Sequence, residues 1–283
     1  MSRRNKTCAI VTSFNDSAAL GRCVEALVPQ LDIVVVVDNK SEPEHRRALA
    51  ALEAFEKVLL HWAPENLGIG AAMNIGLAAA EAKGANWVLL MDQDSIAAPD
   101  MIATMLEAAT RFPDAAFSPT ISGIGSRPAA TDPIEVTYAI TSGNLIPVAG
   151  LRKIGGLNEG LFIDGVDFDL SLRLRRAGYR IFQVPQAHMV HSLGDGSSFG
   201  GFLGRFYTNH SPLRRYYMAR NLVHNVRRHA LVFPIFCGKL IVVSAISFLS
   251  ILRFGPRRQA SAVMMLHDFA DGIRGKTGPY FRS

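Results

Sequence analysis

The stretch from Trp87 to Ser95 constrains the fold of this chain most, because an uninterrupted apolar run ends there in two carboxylates. The run from Val88 to Met91 predicts a strand that is buried on both faces, as in a parallel sheet. Asp92 and Asp94 follow directly. Side chains two residues apart in extended chain point the same way, so both carboxylates can reach one point beyond the strand. In open α/β sheets, ligands bind at that edge.

Two interpretations of this carboxylate pair stay open at the level of the residues. Hard divalent cations such as Mg2+ prefer oxygen ligands of this kind and complete their coordination with water and substrate phosphates. Alternatively, the sequence Asp-Gln-Asp-Ser, followed by Pro99, is a solvated turn that caps the next helix.

Strand and helix patterns alternate through the first 112 residues, which predicts a parallel sheet with right-handed crossovers. Polar or acidic residues stand at the strand ends, as in Asp38 after Ile33 to Val37. We predict strands at 7–14, 33–37, 58–61 and 88–91, and helices at 18–28, 43–56, from the glycine-rich stretch 66–76 to about 83, and 99–112. A strand-rich region is expected at 115–150.

Gly68 and Gly70 lie in the segment from Asn66 to Gly76, which opens an Ala-rich helix. They resemble a dinucleotide fingerprint only superficially, because that motif must follow the first strand closely and these glycines do not. The glycines let the backbone approach an anionic ligand at a helix N-terminus, or they serve close helix packing. The sequence alone supports both interpretations.

A second acidic cluster, Asp164, Asp167 and Asp169, crowds the start of a helix that ends near Gly178. Carboxylates at a helix N-terminus stabilise the helix, so part of the cluster is explained by capping. A carboxylate beside an active site can instead act as a general base. A strand at 181–184 follows, and His191 becomes of interest if the fold brings it to Asp94.

Together these pieces resemble a family-two glycosyltransferase of the GT-A fold, and among these a bacterial rhamnosyltransferase. The resemblance covers roughly residues 6–225. The motifs that carry it are Thr12 to Asn15, Asp38-Asn39-Lys40-Ser41, Asn66 to Gly76, Met91-Asp92-Gln93-Asp94-Ser95, Phe162 to Asp169, His191 to Asp195, and Arg215 to Asn221.

The resemblance implies a role for each matching residue. Asp94 would bind Mg2+ or Mn2+ on the nucleotide diphosphate, with His191 as a further metal ligand, and Asp92 would contact the nucleoside side. A larger set of nucleotide-sugar contacts is implied for Thr12, Asn15, Asp38, Asn66, Gly68 and Asn74.

Asp167 is the catalytic base by the same analogy. Many family members place Glu before this aspartate, whereas Val166 precedes it here. A Val-Asp pair is similar to what rhamnosyltransferases carry. Asp164 and Asp169 are rival bases, and together with Arg220 they are candidates for acceptor contacts or secondary roles.

The implied fold is α/β, a Rossmann-like GT-A domain with a mixed, mainly parallel sheet flanked by helices at residues 1–225. Residues 226–283 would form a C-terminal apolar helical extension. The implied reaction is inverting transfer of L-rhamnose from dTDP-L-rhamnose to a saccharide acceptor, lipid-linked, in cell-surface polysaccharide or O-antigen synthesis. The alternatives are a UDP- or GDP-sugar donor, or a non-catalytic sugar-nucleotide-binding protein.

The C-terminal apolar segment at 230–252 contains one charged residue, Lys239, and is long enough to span a bilayer. Pro234 and Gly238 interrupt it, and arginines flank it on both sides. We expect it to lie on the cytoplasmic leaflet, with the arginines on anionic headgroups. A buried helix of a homodimer is the alternative.

The net charge of +6 indicates an anionic partner. Nucleic acid is not expected, because the basic residues are dispersed and do not alternate with aromatics in a binding motif. Three widely spaced cysteines suit a reducing compartment. The N-terminus lacks a signal-peptide pattern, so we expect a cytoplasmic protein at the inner face of the membrane.

Overall fold

The computed structural model describes residues 6–122, 130–191, 210–255 and 258–280. These residues fall into two compact units. The first contains Met1–Glu159 and Asp167–Ser192, and the second contains Gly160–Val166 and Leu193–Ser283. The division at residue 225 stays a prediction about domains.

The first unit is built on one mixed sheet of nine strands, in the order β3-β2-β1-β4-β8-β6-β9-β5, with β7 paired to β9. The strands are β1 Thr7–Ser13, β2 Ile33–Asp38, β3 Val58–Trp62, β4 Trp87–Asp92, β5 Ser95–Ala97, β6 Ala115–Ser122, β7 Ile134–Glu135, β8 Asn144–Pro147 and β9 Arg180–His191.

The half of the sheet formed by β3, β2, β1 and β4 is parallel. Strand β2 is buried along its whole length, and β4 is buried up to Met91, so the sequence pattern of continuous apolar strands is explained by layers on both faces. Asp38 and Asp92 end these two strands at the same edge of the sheet, with β1 between them. The expected mixed α/β fold with a mainly parallel half is confirmed.

The helices of the first unit are α1 Ser17–Leu27, α2 Pro43–Leu49, α3 Ile69–Ala82, α4 Met101–Arg111, α5 Val148–Ile154 and α6 Val166–Arg176, whose first residue belongs to the second unit. Asp16 caps α1 by accepting a hydrogen bond from the backbone N–H of Ala19 at 3.0 Å. The helix expected at 43–56 is shorter, because α2 passes into a 3-10 helix, Ala50–Ala54.

Strand β9 is longer than the predicted strand at 181–184 and changes its partners along its length. It runs parallel to β6 from Arg180, and the register shifts where Pro119 faces Val184 and Thr120 faces His188. Its end pairs antiparallel with β5, which places His191 opposite Ser95. This three-residue strand β5 was not predicted, and it is what brings the end of β9 to the carboxylate pair.

The described residues of the second unit form the helices α7 Pro212–His229, α8 Pro234–Phe254 and α9 Arg258–Ile273. Helix α8 is long and apolar enough to cross a membrane, with a mean hydropathy of 2.3, and 17% of its apolar window is buried. Exposed apolar side chains on it include Ile235, Ile241, Val242, Val243 and Leu249. Core burial therefore does not explain the composition of this helix.

Candidate active site

Asp92, Asp94 and His191 form a cluster in which one potential ligand atom from each residue lies within 4.8 Å of the others. Oδ1 of Asp94 is 3.4 Å from Nδ1 of His191. All three residues are partly exposed. The sequence predicted the two carboxylates as a pair, and the fold brings the imidazole to them.

Two buried serines, Ser95 and Ser142, form hydrogen bonds that support this cluster. Oγ of Ser95 lies 2.8 Å from Nδ1 of His191 and 2.7 Å from Oγ of Ser142. Oγ of Ser142 also accepts a hydrogen bond from the backbone N–H of Asp92 at 3.1 Å. The hydroxyls thus fix the imidazole relative to the end of β4. The serine in the Asp-Gln-Asp-Ser motif was visible in the sequence, but this role was not.

The electrostatics of the cluster follow from its acidic partners. A hydrogen bond with Asp94 and the charges of Asp94 and Asp92 raise the pKa of His191 above its ordinary value, against the opposing effect of burial. Carboxylates beside an imidazole favour positive charge at this place, supplied by a proton on the ring or by a bound metal ion. Two carboxylates and one imidazole are a suitable ligand set for Mn2+ and, through the oxygens, for Mg2+.

Asp38 lies at the same sheet edge and is 1% exposed. Its Oδ2 accepts a hydrogen bond from Nε of Arg46 at 2.8 Å, and the backbone N–H of Ser41 donates to both of its oxygens. The guanidinium of Arg46 lies 5.2 Å from the ring centroid of Trp62, which is 41% exposed. An exposed aromatic ring beside a fixed guanidinium offers a stacking surface for a planar group.

Asn15 and Thr12 lie at the adjacent end of β1. Asn15 has a left-handed backbone with φ 53°, its N–H donates to Oγ of Ser41, and its Oδ1 accepts from the N–H of Glu42. Thr12 faces both Val37 and Asp92 in the strand ladders. The structure therefore groups Thr12, Asn15 and Asp38 at one edge of the sheet.

Asn66 and Gly68 shape the entry to α3. Oδ1 of Asn66 accepts from Nδ2 of Asn39 and from the N–H of Gly68, both at 3.0 Å. Gly68 has a φ of 82°, a conformation that favours glycine. A Cβ on Gly70 would lie 2.8 Å from the carbonyl oxygen of Asn158, so this glycine serves a close approach of protein backbone.

Asn74, although predicted in the nucleotide pocket, binds a different segment. Its Nδ2 donates to the carbonyl oxygen of Leu157 and to Oε1 of Glu159, and its Oδ1 accepts from the N–H of Leu157. The side chain of Asn74 is thus engaged in fixing residues 157–159.

Asp167 and Asp169 begin helix α6. Asp169 is 1% exposed and pairs with Nε of Arg173 at 2.7 Å. Asp167 is partly exposed, and its Oδ1 accepts from the N–H of Phe168 at 2.9 Å. Burial and, more weakly, the charge of Asp167 raise the pKa of Tyr138. Of these two carboxylates, Asp167 is the more accessible.

Asp164 and Arg220 belong to the second unit. Asp164 accepts hydrogen bonds from Nε and Nη2 of Arg214 at 3.1 to 3.2 Å. Arg220 is fully buried, and its guanidinium donates to the carbonyl oxygens of residues 160, 161 and 278. The motif positions Ser192 to Asp195 lie outside the described residues.

Comparison with known proteins agrees with this geometry. Residues 8–147 match the model of a family described as Glycosyl transferase family 2. The chain is 29% identical to dTDP-rhamnosyl transferase RfbF of Shigella flexneri, over 95% of this chain and 96% of that protein.

Two solved structures share the fold. Mannosyltransferase PcManGT from Pyrobaculum calidifontis, in complex with GDP-Man and Mn2+, has a TM-score of 0.63 at 16% identity and covers 97% of this chain and 89% of its own. TarS 1-349 of S. aureus, in complex with UDP-GlcNAc, has a TM-score of 0.59 at 15% identity, with 95% and 81% covered.

The fold and the acidic edge of its sheet define a glycosyltransferase of the GT-A class. Residues 8–147 belong to glycosyl transferase family 2, and the chain as a whole resembles a bacterial rhamnosyltransferase.

Proposed function

We propose that this protein transfers L-rhamnose from dTDP-L-rhamnose to a saccharide acceptor with inversion at the anomeric carbon. The observation that carries the proposal is the similarity to a dTDP-rhamnosyl transferase over nearly the whole of both chains. The grouping of Thr12, Asn15 and Asp38 next to Asp92 supports a nucleotide pocket at this sheet edge. The exposed ring of Trp62 offers a stacking surface beside it.

Asp167 acts as the general base in this proposal. It accepts the proton of the acceptor hydroxyl, whose oxygen forms the new bond to the anomeric carbon while the bond to the diphosphate breaks. The accessibility of Asp167 supports this choice over Asp169, which is buried in an ion pair with Arg173.

Asp94 and His191, with Asp92 beside them, are the residues that would hold Mg2+ or Mn2+. The cation supplies positive charge that neutralises the diphosphate leaving group. Ser95 keeps the imidazole of His191 oriented, and Ser142 holds the backbone of Asp92. Both contacts help to preserve the spacing of the ligand set.

The donor is tested by calorimetry with dTDP-L-rhamnose, UDP-sugars and GDP-mannose, each with and without Mn2+ or Mg2+. Metal-dependent binding that is selective for dTDP-L-rhamnose is expected. Preference for a UDP- or GDP-sugar would replace the donor and keep the reaction. The two solved structures of the same fold were determined with sugar nucleotides of these kinds, UDP-GlcNAc and GDP-Man. Absence of binding to all of them would favour a non-catalytic protein.

We further propose a lipid-linked acceptor, as used in cell-surface polysaccharide or O-antigen synthesis, and a position at the cytoplasmic face of the membrane. Helix α8 supports this, because its apolar side chains are exposed and arginines flank it in the chain: Arg227 and Arg228 in the last turn of α7, and Arg253 in the last turn of α8. Such a helix lies in the interface with its cations on anionic headgroups.

Flotation with vesicles tests the membrane proposal. The protein should float with vesicles that contain phosphatidylglycerol, and less with phosphatidylcholine alone. Val242→Asp, on the exposed face of α8, should abolish flotation, whereas Leu213→Asp, an exposed leucine of α7, should not. If the protein binds neither kind of vesicle and forms a dimer, and Val242→Asp dissociates that dimer, the result would indicate the homodimer instead.

A further inference from the structure

The loop formed by residues 160–165 has an unusual backbone. Phe162 and Asp164 have φ angles of 63° and 61°, and Gly165 has 76°. Residues other than glycine rarely adopt this left-handed conformation, and they do so where surrounding contacts hold them. In the chain, this loop leads directly into helix α6, which begins at Val166 and carries Asp167 in its first turn. The contacts that hold the loop therefore matter for the proposed base.

Asn221 of helix α7 makes the densest set of these contacts. Its Nδ2 donates to the carbonyl oxygens of Leu161 and Ile163, each at 2.7 Å, and of Asp164 at 2.8 Å. An amide nitrogen has two hydrogens, so two of the three carbonyls share one of them. Asn221 is 1% exposed. One buried side chain thus fixes the backbone at three positions of the 160–165 loop.

Arg220 orients that amide. Its Nε donates to Oδ1 of Asn221 at 3.0 Å, which turns the NH2 end of the amide toward the loop. Its Nη2 donates to the carbonyl oxygens of Gly160 and Leu161. The guanidinium carbon lies 5.4 Å and 5.0 Å from the ring centroids of Tyr216 and Tyr217, so aromatic faces hold it in place.

Two neighbours on the same helix complete the arrangement. Nδ2 of Asn225 donates to the carbonyl oxygen of Gly165 at 3.1 Å. The ring of Phe162 stacks on Tyr217 with a centroid distance of 5.0 Å. Every contact named here lies within the second compact unit.

We infer that Arg220 and Asn221 are positioning residues: they hold the 160–165 loop in its left-handed conformation and thereby set the first turn of α6, where Asp167 lies. This inference depends on the proposed function for the role of Asp167. It assigns a task to the Arg-Asn pair in the Arg215 to Asn221 motif, and it gives Arg220 a task other than acceptor contact, since that side chain is fully buried.

The test compares three alanine variants along one face of α7. Asn221→Ala removes the donor to three loop carbonyls, and Asn225→Ala removes the donor to one. His224→Ala is the matched control, because its Nε2 bonds to the carbonyl oxygen of Lys276, outside the loop. Each variant is measured for thermal unfolding, for dTDP-L-rhamnose affinity, and for the release of dTDP by hydrolysis, in which water replaces the acceptor hydroxyl, gives its proton to Asp167 and forms the new bond to the anomeric carbon.

A small displacement of a reacting group costs up to about 100-fold in rate. We therefore expect Asn221→Ala to slow dTDP release by about 10- to 100-fold with donor affinity within about twofold. Asn225→Ala should show a smaller loss, and His224→Ala should stay within about twofold of the original rate. A loss of stability alone would lower the signal of all three variants without this gradient.

Hydrogen exchange provides a readout that does not depend on the donor. Amides of residues 161–169 should exchange faster in Asn221→Ala and remain unchanged in His224→Ala. Unchanged exchange in Asn221→Ala would overturn the inference, and so would faster exchange with an unaltered rate of dTDP release. If the original protein turns over no dTDP-L-rhamnose, the proposed function fails, whereas the exchange experiment still decides whether Asn221 holds the loop.

Discussion

Nδ1 of His191 lies 3.4 Å from Oδ1 of Asp94, although the two residues are far apart in the chain. If this pair holds a cation, His191→Ala should weaken Mn2+ binding by at least about tenfold, because one ligand is lost and the carboxylate is no longer oriented. Mn2+ affinity measured by calorimetry or by electron paramagnetic resonance checks this.

The control for that variant lies on the same strand. His188 faces Thr120 in the register of β6 and β9 and is not part of the acidic cluster. His188→Ala should leave Mn2+ affinity within about twofold of the original value, a much smaller change than the loss of a metal ligand causes. Equal losses in both variants would indicate damage to β9 instead of a lost ligand.

Asp167→Asn should lower the rate of sugar transfer by about 100- to 10,000-fold, because the amide cannot accept the acceptor proton. Donor affinity should be nearly unchanged, since this carboxylate acts on the acceptor. Asp114→Asn, at an exposed position of the first unit, makes the same change in charge and should retain the original rate. Full turnover by Asp167→Asn would exclude this residue as the base.

Gly70→Ala should reduce the free energy of unfolding by about 1–3 kcal/mol, the usual cost of forcing an extra methyl group into packed structure. The new Cβ would lie 2.8 Å from the carbonyl oxygen of Asn158, and both sides of that contact are backbone. Gly21→Ala in α1 meets no atom within 4 Å. It should instead stabilise the protein by about 0.5–1 kcal/mol, and denaturant unfolding of both variants separates the two cases.

Asp268→Asn should stabilise the protein at pH 8. Burial, and after it the charge of Asp271, raise the pKa of Asp268 to about 7, while the charge of Arg220 opposes this. In the unfolded chain the group ionises near its ordinary pKa of about 4. The folded state therefore binds more protons between these values, and stability falls as the pH rises from about 4 to about 7.

The neutral amide removes that loss, so the gain at pH 8 should be on the order of 4 kcal/mol and should vanish near pH 4. Denaturant unfolding at several pH values measures it. A stability difference between the two proteins that does not change with pH would contradict the prediction. Neither oxygen of Asp268 has a hydrogen-bond partner among the described residues, so replacing the carboxylate by an amide breaks no hydrogen bond there.

The sequence predicted the parallel half of the sheet well, because β1, β2 and β4 are continuous apolar runs with polar residues at their ends. Strand β5 was not predicted, because a segment of three residues is too short to show the alternation of apolar and polar residues that indicates a strand. Its pairing with β9 is a tertiary contact, and without it the residues alone gave no reason to place His191 beside Asp94.

The site residues show the same limit. The place of Asn74 in the nucleotide pocket stays a prediction from its motif, and no sequence pattern indicates that its amide binds the backbone of Leu157. The hydrogen bond between the hydroxyls of Ser95 and Ser142 joins residues that are 47 positions apart, and no sequence pattern indicates it. A polar residue type indicates the chemistry that it can offer, whereas its partner is decided by chain segments that come together on folding.

The change of partners along β9 has a consequence for how this protein can vary in length. Side chains alternate between the two faces of a strand, so one residue inserted between His188 and His191, where β9 is paired with both β5 and β6, would carry the imidazole of His191 to the opposite side of the sheet. One residue deleted there would do the same. The spacing from His188 to His191 is therefore constrained by the ladders, whereas a change in length is accommodated more easily at 185–187, where the register of β6 and β9 shifts.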